Sequence, residues 1–248
     1  MKKIVADIET TGLADYHEIT EISILDCETL EQITWMVKIK HPEKASKEAL
    51  FITKKTIPEL LSRGRYIEEI IPEVNEFINS ISSNDPDDIV VIGWNISFDR
   101  SRLENAWKNA GFMFPANYYL CAMEMSKKYV RNVLNKKEKM SFKLSNIMKF
   151  ASINVDGENH DSQTDTQSTY KMYMFLKSRG MTDSEFIRLS PTLMKDLSAP
   201  TGNLKKTGKK IDLEIKDLGD ISKNYAPSAS GWQGEEYRSD DADDDDDD

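Results

Sequence analysis

Two acidic residues lie two positions apart near the start of the chain, in the segment "DIETTGL" at residues 7–13. The surrounding "KKIVADIE" is rich in β-branched residues and predicts a strand, so Asp7 and Glu9 would project from the same face. Adjacent carboxylates raise each other's pKa, and a divalent cation with a preference for oxygen ligands relieves their repulsion. Solvated acids at an exposed strand end fit the segment equally well. The strand would end in small polar residues whose backbone N–H groups are free for a ligand, Thr10, Thr11 and Gly12.

A third carboxylate follows a second strand-like segment. The run "DDIVVIGW" at residues 87–94 is short and almost wholly apolar, which is typical of a buried parallel strand. Asp99 comes a few residues later, on or just before a predicted helix. Ligands of open α/β sheets gather at the carboxyl ends of such strands. Taken alone, Asp99 is also explained as a solvated or capping aspartate, and Asn95 as a turn residue.

The segment "ENHDSQTDTQS" at residues 158–168 contains one of only three histidines in the chain. Asp161 or Ser162 is expected to cap a helix that begins here. Asp165 then lies in the first helical turn, where the helix dipole favours an anion. These local effects explain Asp165 without catalysis, and His160 on the preceding loop has a simple interpretation as a surface residue.

The remaining pattern predicts an α/β fold. Segments 2–9, 18–26 and 32–39 predict an antiparallel meander, and 118–126 a further strand. Helical spacing of apolar residues predicts helices at 66–81, 97–111, 141–153 and 163–180. The first of these helices is expected to begin near Pro72 or to kink there. We therefore expect a mixed sheet, with an antiparallel meander and parallel strands, flanked by helices.

Composition limits the class of protein. The net charge is −10 at pH 7, but the eight aspartates of residues 239–248 supply most of it and leave the body near neutral. The body therefore does not exclude a polyanionic substrate. No apolar run is long enough to span a bilayer or to serve as a signal peptide, so we expect a cytoplasmic protein, in the host cytoplasm if the source is viral. Two distant cysteines, Cys27 and Cys121, indicate neither a zinc site nor a disulfide framework.

The three acidic segments, taken in order, resemble the motifs of the DEDDh, or DnaQ-like, 3′–5′ exonucleases, which have a ribonuclease H-like fold. "DIETTGL" is similar to the first motif, "NISFD" to the second and "HDSQTD" to the third. The resemblance covers about residues 1–178. The sister branch of this family has tyrosine where this chain has Asp161, which favours the histidine-containing branch.

The resemblance implies roles for particular residues. It implies that Asp7, Glu9, Asp99 and Asp165 bind two divalent cations, Mg²⁺ or Mn²⁺, and that His160 is the general base. It further implies that the segment Thr10, Thr11, Gly12 and Leu13 holds the terminal nucleotide, with Leu13 against a base. Asn95 would help to orient the scissile end.

These implications predict an exonuclease domain at 1–178 that releases 5′-mononucleotides from 3′ ends of single-stranded DNA in replication, proofreading or repair. An exoribonuclease or oligoribonuclease of the same fold and a non-catalytic binding or scaffold module are the alternatives. We expect a peripheral helical extension at 179–200. A disordered tail at 201–248 combines a lysine cluster with the aspartate run, which is a candidate contact for a replication or repair partner.

Overall fold

A computed structural model describes residues 1–134, 141–154 and 161–191. Its centre is a six-stranded sheet with the order β3-β2-β1-β4-β5-β6. The strands are β1 Lys2–Thr10, β2 Ile19–Asp26, β3 Gln32–Met36, β4 Ile89–Gly93, β5 Tyr118–Cys121 and β6 Ile187–Leu189. The meander β1–β2–β3 is antiparallel, whereas β4 and β5 run parallel to β1. The predicted mixed α/β sheet is confirmed.

Seven α-helices flank the sheet within the described residues: α1 Lys47–Ile52, α2 Ile57–Arg63, α3 Ile67–Ser82, α4 Ser97–Asn109, α5 Ala122–Leu134, α6 Leu144–Phe150 and α7 Ser162–Ser178. The prediction that the first long helix begins near Pro72 is wrong, because α3 begins five residues earlier. Ile70, Ile71, Val74 and Ile78 are buried on both sides of the exposed proline. Their packing outweighs the hydrogen bond that proline removes, which costs about 3 kcal/mol.

The sheet separates two apolar cores. Ile4 and Ile8 of β1 face a core that contains residues of α3 and α4. Val5 faces the opposite core, which contains Met172 and Leu176 of α7. Because side chains alternate along a strand, Asp7 and Glu9 share the face of Val5 and point toward the α7 side. The alternation within one strand thus places apolar residues in one core and carboxylates on the opposite face.

The segments after β4 depart from prediction in two places. Only Tyr118–Cys121 of the predicted strand at 118–126 is extended, and α5 begins at once after it. Short helices were expected after α7, but Asp183–Glu185 forms a 3₁₀ turn and β6 then adds antiparallel to β5. Residues 192–248, which include the lysine cluster and the aspartate run, lie outside the described residues. Within the described ranges, no helix combines the length and apolar character needed to cross a bilayer.

Candidate active site

Three of the predicted ligands converge at the carboxyl end of β1. Asp7 and Glu9 project from the face that α7 covers, and Asp165 lies in the first turn of that helix. One carboxylate oxygen from each of the three lies within 4.8 Å of the others. Residues 158 positions apart in sequence are thus close enough to share a cation.

Asp99 reaches the cluster from a different direction, and the sheet explains why. β1 pairs with β4 only from Lys2 to Val5, so its later residues have no β4 partner. Asp99, in the first turn of α4, accepts a hydrogen bond from the backbone N–H of Ile8 at 3.2 Å. Its buried carboxylate takes the place of the missing strand partner. It binds Ile8, the residue between Asp7 and Glu9.

The start of α7 is fixed by a side-chain cap, as predicted. Asp161 accepts hydrogen bonds from the backbone N–H of Thr164 at 3.1 Å and from its hydroxyl at 2.9 Å. The backbone N–H of Asp165 donates to the carbonyl of Asp161 at 2.9 Å, so Asp165 is within the first regular turn. His160, the predicted general base, lies outside the described residues.

Among the described residues, the carboxylates of the cluster outnumber the neighbouring cations, and their pKa values are raised. Burial raises the pKa of Asp7 well above its ordinary value, and the neighbouring carboxylates raise it further. Burial also raises the pKa of Glu9 to about 8, with Asp165 and Glu21 contributing and Lys55 opposing. Burial raises the pKa of Asp99 to about 7, although the hydrogen bonds that its carboxylate accepts from backbone N–H groups oppose this rise. A divalent cation bound among these carboxylates would oppose the shifts, because it favours their charged forms.

A tight loop follows β1, and its groups are largely satisfied within the protein. The hydroxyl of Thr10 donates to the carbonyl of Gly12 at 2.8 Å. The backbone N–H of Thr11 donates to the carbonyl of Glu18 at 2.9 Å. The expectation that this N–H is free for a ligand is therefore wrong, because the loop closes on the start of β2.

Gly12 has a φ of +152°, a conformation that residues with side chains rarely adopt. A Cβ at this position would lie 2.5 Å from Nε2 of His17. The ring of His17 folds back over the loop, and its Nδ1 lies 3.1 Å from the hydroxyl of Thr11. Burial, with a contribution from Arg102, lowers the pKa of His17, which favours its neutral ring.

Leu13 and Arg102 form a contact that the sequence did not reveal. The side chain of Leu13 is 71% exposed, whereas Arg102 of α4 is only 6% exposed. The guanidinium donates to the carbonyl of Leu13 and, at 2.7 Å, to the carboxylate of Asp15. Arg102 therefore holds the backbone of the loop and leaves the Leu13 side chain in solvent. A signal was available, since Arg102 follows Asp99 by three residues and shares its helix face.

Asn95 occupies the turn between β4 and α4. Its φ is +58°, in the left-handed region that asparagine tolerates better than most residues. Its carbonyl accepts from the backbone N–H of Phe98 at 3.1 Å. The turn interpretation explains its conformation, and its exposed side chain is compatible with a role in substrate binding, which stays a prediction.

A fifth carboxylate beside the cluster was missed altogether. Glu21 of β2 lies opposite Glu9 of β1 in the antiparallel register and is 4% exposed. It accepts hydrogen bonds from Ser162 and from Lys55. The sequence pattern did not distinguish Glu21 from a polar residue on the exposed face of a half-buried strand. In the structure, all eight residues of β2 are buried.

A family model described as exonuclease, of the ribonuclease T type, matches residues 4–173. This span contains all four predicted metal ligands, the whole of α4 and the part of α7 up to residue 173. The chain belongs to this exonuclease family. No curated protein is similar enough to this chain in sequence to match it.

Several solved structures share the fold of this chain. The zinc-bound complex of Escherichia coli exonuclease I with single-stranded DNA has a TM-score of 0.59 at 16% identity, over 72% of this chain and 41% of that one. Exonuclease I of Methylocaldum szegediense has a TM-score of 0.59 at 18% identity, over 72% and 40%. Cell-death related nuclease 4 (CRN-4) has a TM-score of 0.61 at 12% identity, over 72% and 64%. This chain spans less than two thirds of the length of each of them.

Proposed function

We propose that this protein removes 5′-mononucleotides from the 3′ ends of single-stranded DNA with two bound divalent cations, Mg²⁺ or Mn²⁺. The observation that carries the proposal is the convergence of Asp7, Glu9 and Asp165 within 4.8 Å, in a chain of the exonuclease family. Asp99 is held beside them by its contact with Ile8. The proposal includes a role in replication, proofreading or repair.

The cluster suits hard divalent cations. Its donors are carboxylate oxygens, which Mg²⁺ and Mn²⁺ prefer to imidazole or thiolate ligands. Asp7, Glu9, Asp99 and Asp165 would together balance the charge of two dications. Bound there, such cations lower the pKa of an attacking water and stabilise the charge on the leaving 3′ oxygen.

His160 is proposed as the proton acceptor. It comes two residues before Ser162, the first residue of α7, and five before Asp165. An imidazole with an ordinary pKa near 6.5 can accept a proton at neutral pH, and the attacking water must lose one. The contribution of such a base is typically about 10²–10⁴-fold in rate.

The loop after β1 is proposed to hold the terminal nucleotide. Leu13 extends into solvent while Arg102 fixes its backbone, so the apolar side chain is available to a base. The remaining members of the proposed binding set are Thr10, Thr11, Gly12 and Asn95. The hydroxyls of Thr10 and Thr11 form hydrogen bonds with the backbone of the loop. Their proposed role is to set the shape of the loop for the nucleotide.

DNA is proposed over RNA because the fold is similar to that of exonuclease I, which was solved with single-stranded DNA. An exoribonuclease or oligoribonuclease of the same fold is the competing function. The decisive experiment uses DNA and RNA oligomers of identical sequence with a label at the 5′ end. With Mg²⁺ or Mn²⁺ present, a 3′–5′ enzyme shortens the labelled strand progressively, whereas cleavage from the 5′ end releases the label at once.

Matched variants give the assay its controls. We expect Asp7→Ala to abolish metal-dependent cleavage and Glu31→Ala, an exposed acid in the turn before β3, to preserve it. Cleavage of RNA but not DNA would replace the proposal with the exoribonuclease. Failure of the unaltered chain to cut either strand would favour a non-catalytic binding or scaffold module.

A further inference from the structure

We propose that Glu21 is a positioning residue that fixes the start of α7 and thereby sets Asp165 against Asp7 and Glu9. The inference rests on the proposed metal-dependent function of this site. It concerns a carboxylate that is not one of the four proposed ligands. It also accounts for Ser162, which lies between His160 and Asp165.

The contact joins two distant segments of the chain. Glu21 Oε1 accepts a hydrogen bond from the hydroxyl of Ser162 at 2.7 Å and from its backbone N–H at 3.3 Å. Ser162 is the first residue of α7 and is fully buried. At a helix start the first N–H groups have no partner within the helix. Glu21 supplies one from across the sheet and ties the helix end to β2.

The position of this contact links it to the cluster. Glu21 and Glu9 are direct partners in the β1–β2 register, so their side chains share one face of the sheet. Ser162 precedes Asp165 by three residues, which places both on the same side of α7. The Glu21–Ser162 contact therefore fixes the helix directly beside the residues that Asp165 must approach.

Burying another carboxylate here has an electrostatic cost. Glu21 adds to the repulsion that raises the pKa of Glu9. Lys55 offsets the added charge, because its ammonium forms an ion pair with Glu21 Oε2 and its side chain is only 12% exposed. One oxygen of the Glu21 carboxylate thus pairs with the Lys55 ammonium, and the other accepts from Ser162 of α7.

A second polar link ties α7 to β3, beginning at the residue next to Ser162, and keeps the helix attached when the Glu21 contact is lost. Gln32 of β3 donates to the carbonyl of Gln163 at 2.9 Å and accepts from Gln167 at 2.8 Å. These bonds hold the helix on the meander but do not involve the residue that Glu21 binds. Loss of the Glu21 contact is therefore expected to shift the first turn without detaching the helix.

The test compares two serines of the same helix. Ser162→Ala removes the hydroxyl that donates to Glu21 and leaves only the longer backbone bond, whereas Ser168→Ala removes a buried hydroxyl that donates to the carbonyl of Thr164. Mn²⁺ affinity is measured by calorimetry, and kcat and KM are measured on single-stranded DNA. Supporting contacts of a metal site typically contribute about 10–100-fold in affinity or activity. We expect Ser162→Ala to weaken Mn²⁺ binding and lower kcat by about 10-fold or more, with KM for DNA unchanged.

Two further variants test the chemistry of Glu21. Glu21→Gln keeps an oxygen acceptor for Ser162 and is expected to retain more Mn²⁺ affinity than Glu21→Ala. Equal Mn²⁺ affinity and kcat for Ser162→Ala and Ser168→Ala would overturn the inference. Loss of Mn²⁺ binding in Glu21→Gln alone would also overturn it, because Glu21 would then be a ligand. Absent cleavage by the unaltered chain, with Mn²⁺ affinity still lowered by Ser162→Ala, would reject the proposed function but support the inference.

Discussion

Arg102 of α4 donates a hydrogen bond to the backbone carbonyl of Leu13, 89 residues earlier in the chain. The same guanidinium binds Asp15, and the helix that carries it also carries Asp99. The contact therefore connects a proposed metal ligand to the loop proposed to hold the terminal nucleotide. We therefore expect substrate binding at this loop to depend on Arg102 and on the helix that helps to build the cluster.

Arg102→Lys is expected to weaken substrate binding more than it slows turnover. Lysine keeps the positive charge but cannot present the planar pair of donors that reaches both Leu13 and Asp15. Loss of one charge-assisted hydrogen bond corresponds to about a tenfold rise in KM for single-stranded DNA. Steady-state kinetics of Arg102→Lys are compared with those of the control Arg100→Lys. Arg100 lies on the same helix and pairs with Glu104. Equal KM values for the two variants would contradict the role of Arg102.

Asp7→Asn is expected to abolish cleavage and to stabilise the metal-free protein. The neutral amide replaces a carboxylate whose pKa is raised by burial and by the neighbouring carboxylates. The gain in the free energy of unfolding should be about 1–2 kcal/mol, as is typical when a destabilised active-site group is replaced. Denaturant unfolding with a chelator measures it. Asp26→Asn is the control and should destabilise, because Asp26 accepts bonds from Glu28 and Thr29.

The stability of the metal-free protein should fall as pH rises. The pKa of Glu9 is raised to about 8 and that of Asp99 to about 7. A carboxylate with a raised folded-state pKa contributes fully below its ordinary value of about 4, and the contribution disappears as pH rises through the folded value. Urea unfolding from about pH 5 to about pH 8.5 should show the decline, and saturating Mg²⁺ should suppress it. Parallel curves with and without Mg²⁺ would argue against cation binding at this cluster.

Gly12→Ala is expected to distort the loop after β1. The new methyl would lie 2.5 Å from the ring of His17 in addition to the strain of a positive φ. Gly111→Ala is a matched control, because Gly111 also has a positive φ, +81°, but its Cβ would have no heavy atom within 4 Å. Gly12→Ala should therefore lose more stability, by about 1–3 kcal/mol in thermal unfolding, and should raise KM. An equal loss in both variants would show that His17 does not constrain the loop.

His160→Ala is expected to lower kcat by about 10²–10⁴-fold while leaving Mn²⁺ affinity nearly unchanged. The reason is that His160 is proposed to accept a proton and not to bind a cation. Single-turnover cleavage and Mn²⁺ titration separate the two properties. His41→Ala serves as the control, because His41 is exposed and lies beside Glu43, away from the cluster in the chain. Unchanged cleavage in His160→Ala would refute the role of His160 as base.

Much of the architecture followed from local pattern. Alternation in β1, the apolar run of β4 and the helical spacing in α4 and α7 predicted elements that the structure contains. Pattern was less reliable where tertiary packing outweighed local preference. α3 passes through Pro72 because its apolar face is buried on both sides, and residues 187–189 form a strand because the edge of β5 is available to pair. Neither effect is visible from neighbouring residues alone.

The sequence by itself determined the family and the residue types of the site, because Asp7, Glu9, Asp99 and Asp165 occur in recognisable local motifs. Only the tertiary structure decided how these residues are held. Glu21 meets Ser162 through strand pairing, and Arg102 meets Leu13 where α4 approaches the loop after β1. Such contacts depend on distances between segments far apart in the chain. Local periodicity determines which face of an element a side chain occupies, but tertiary packing determines which residues that face contacts.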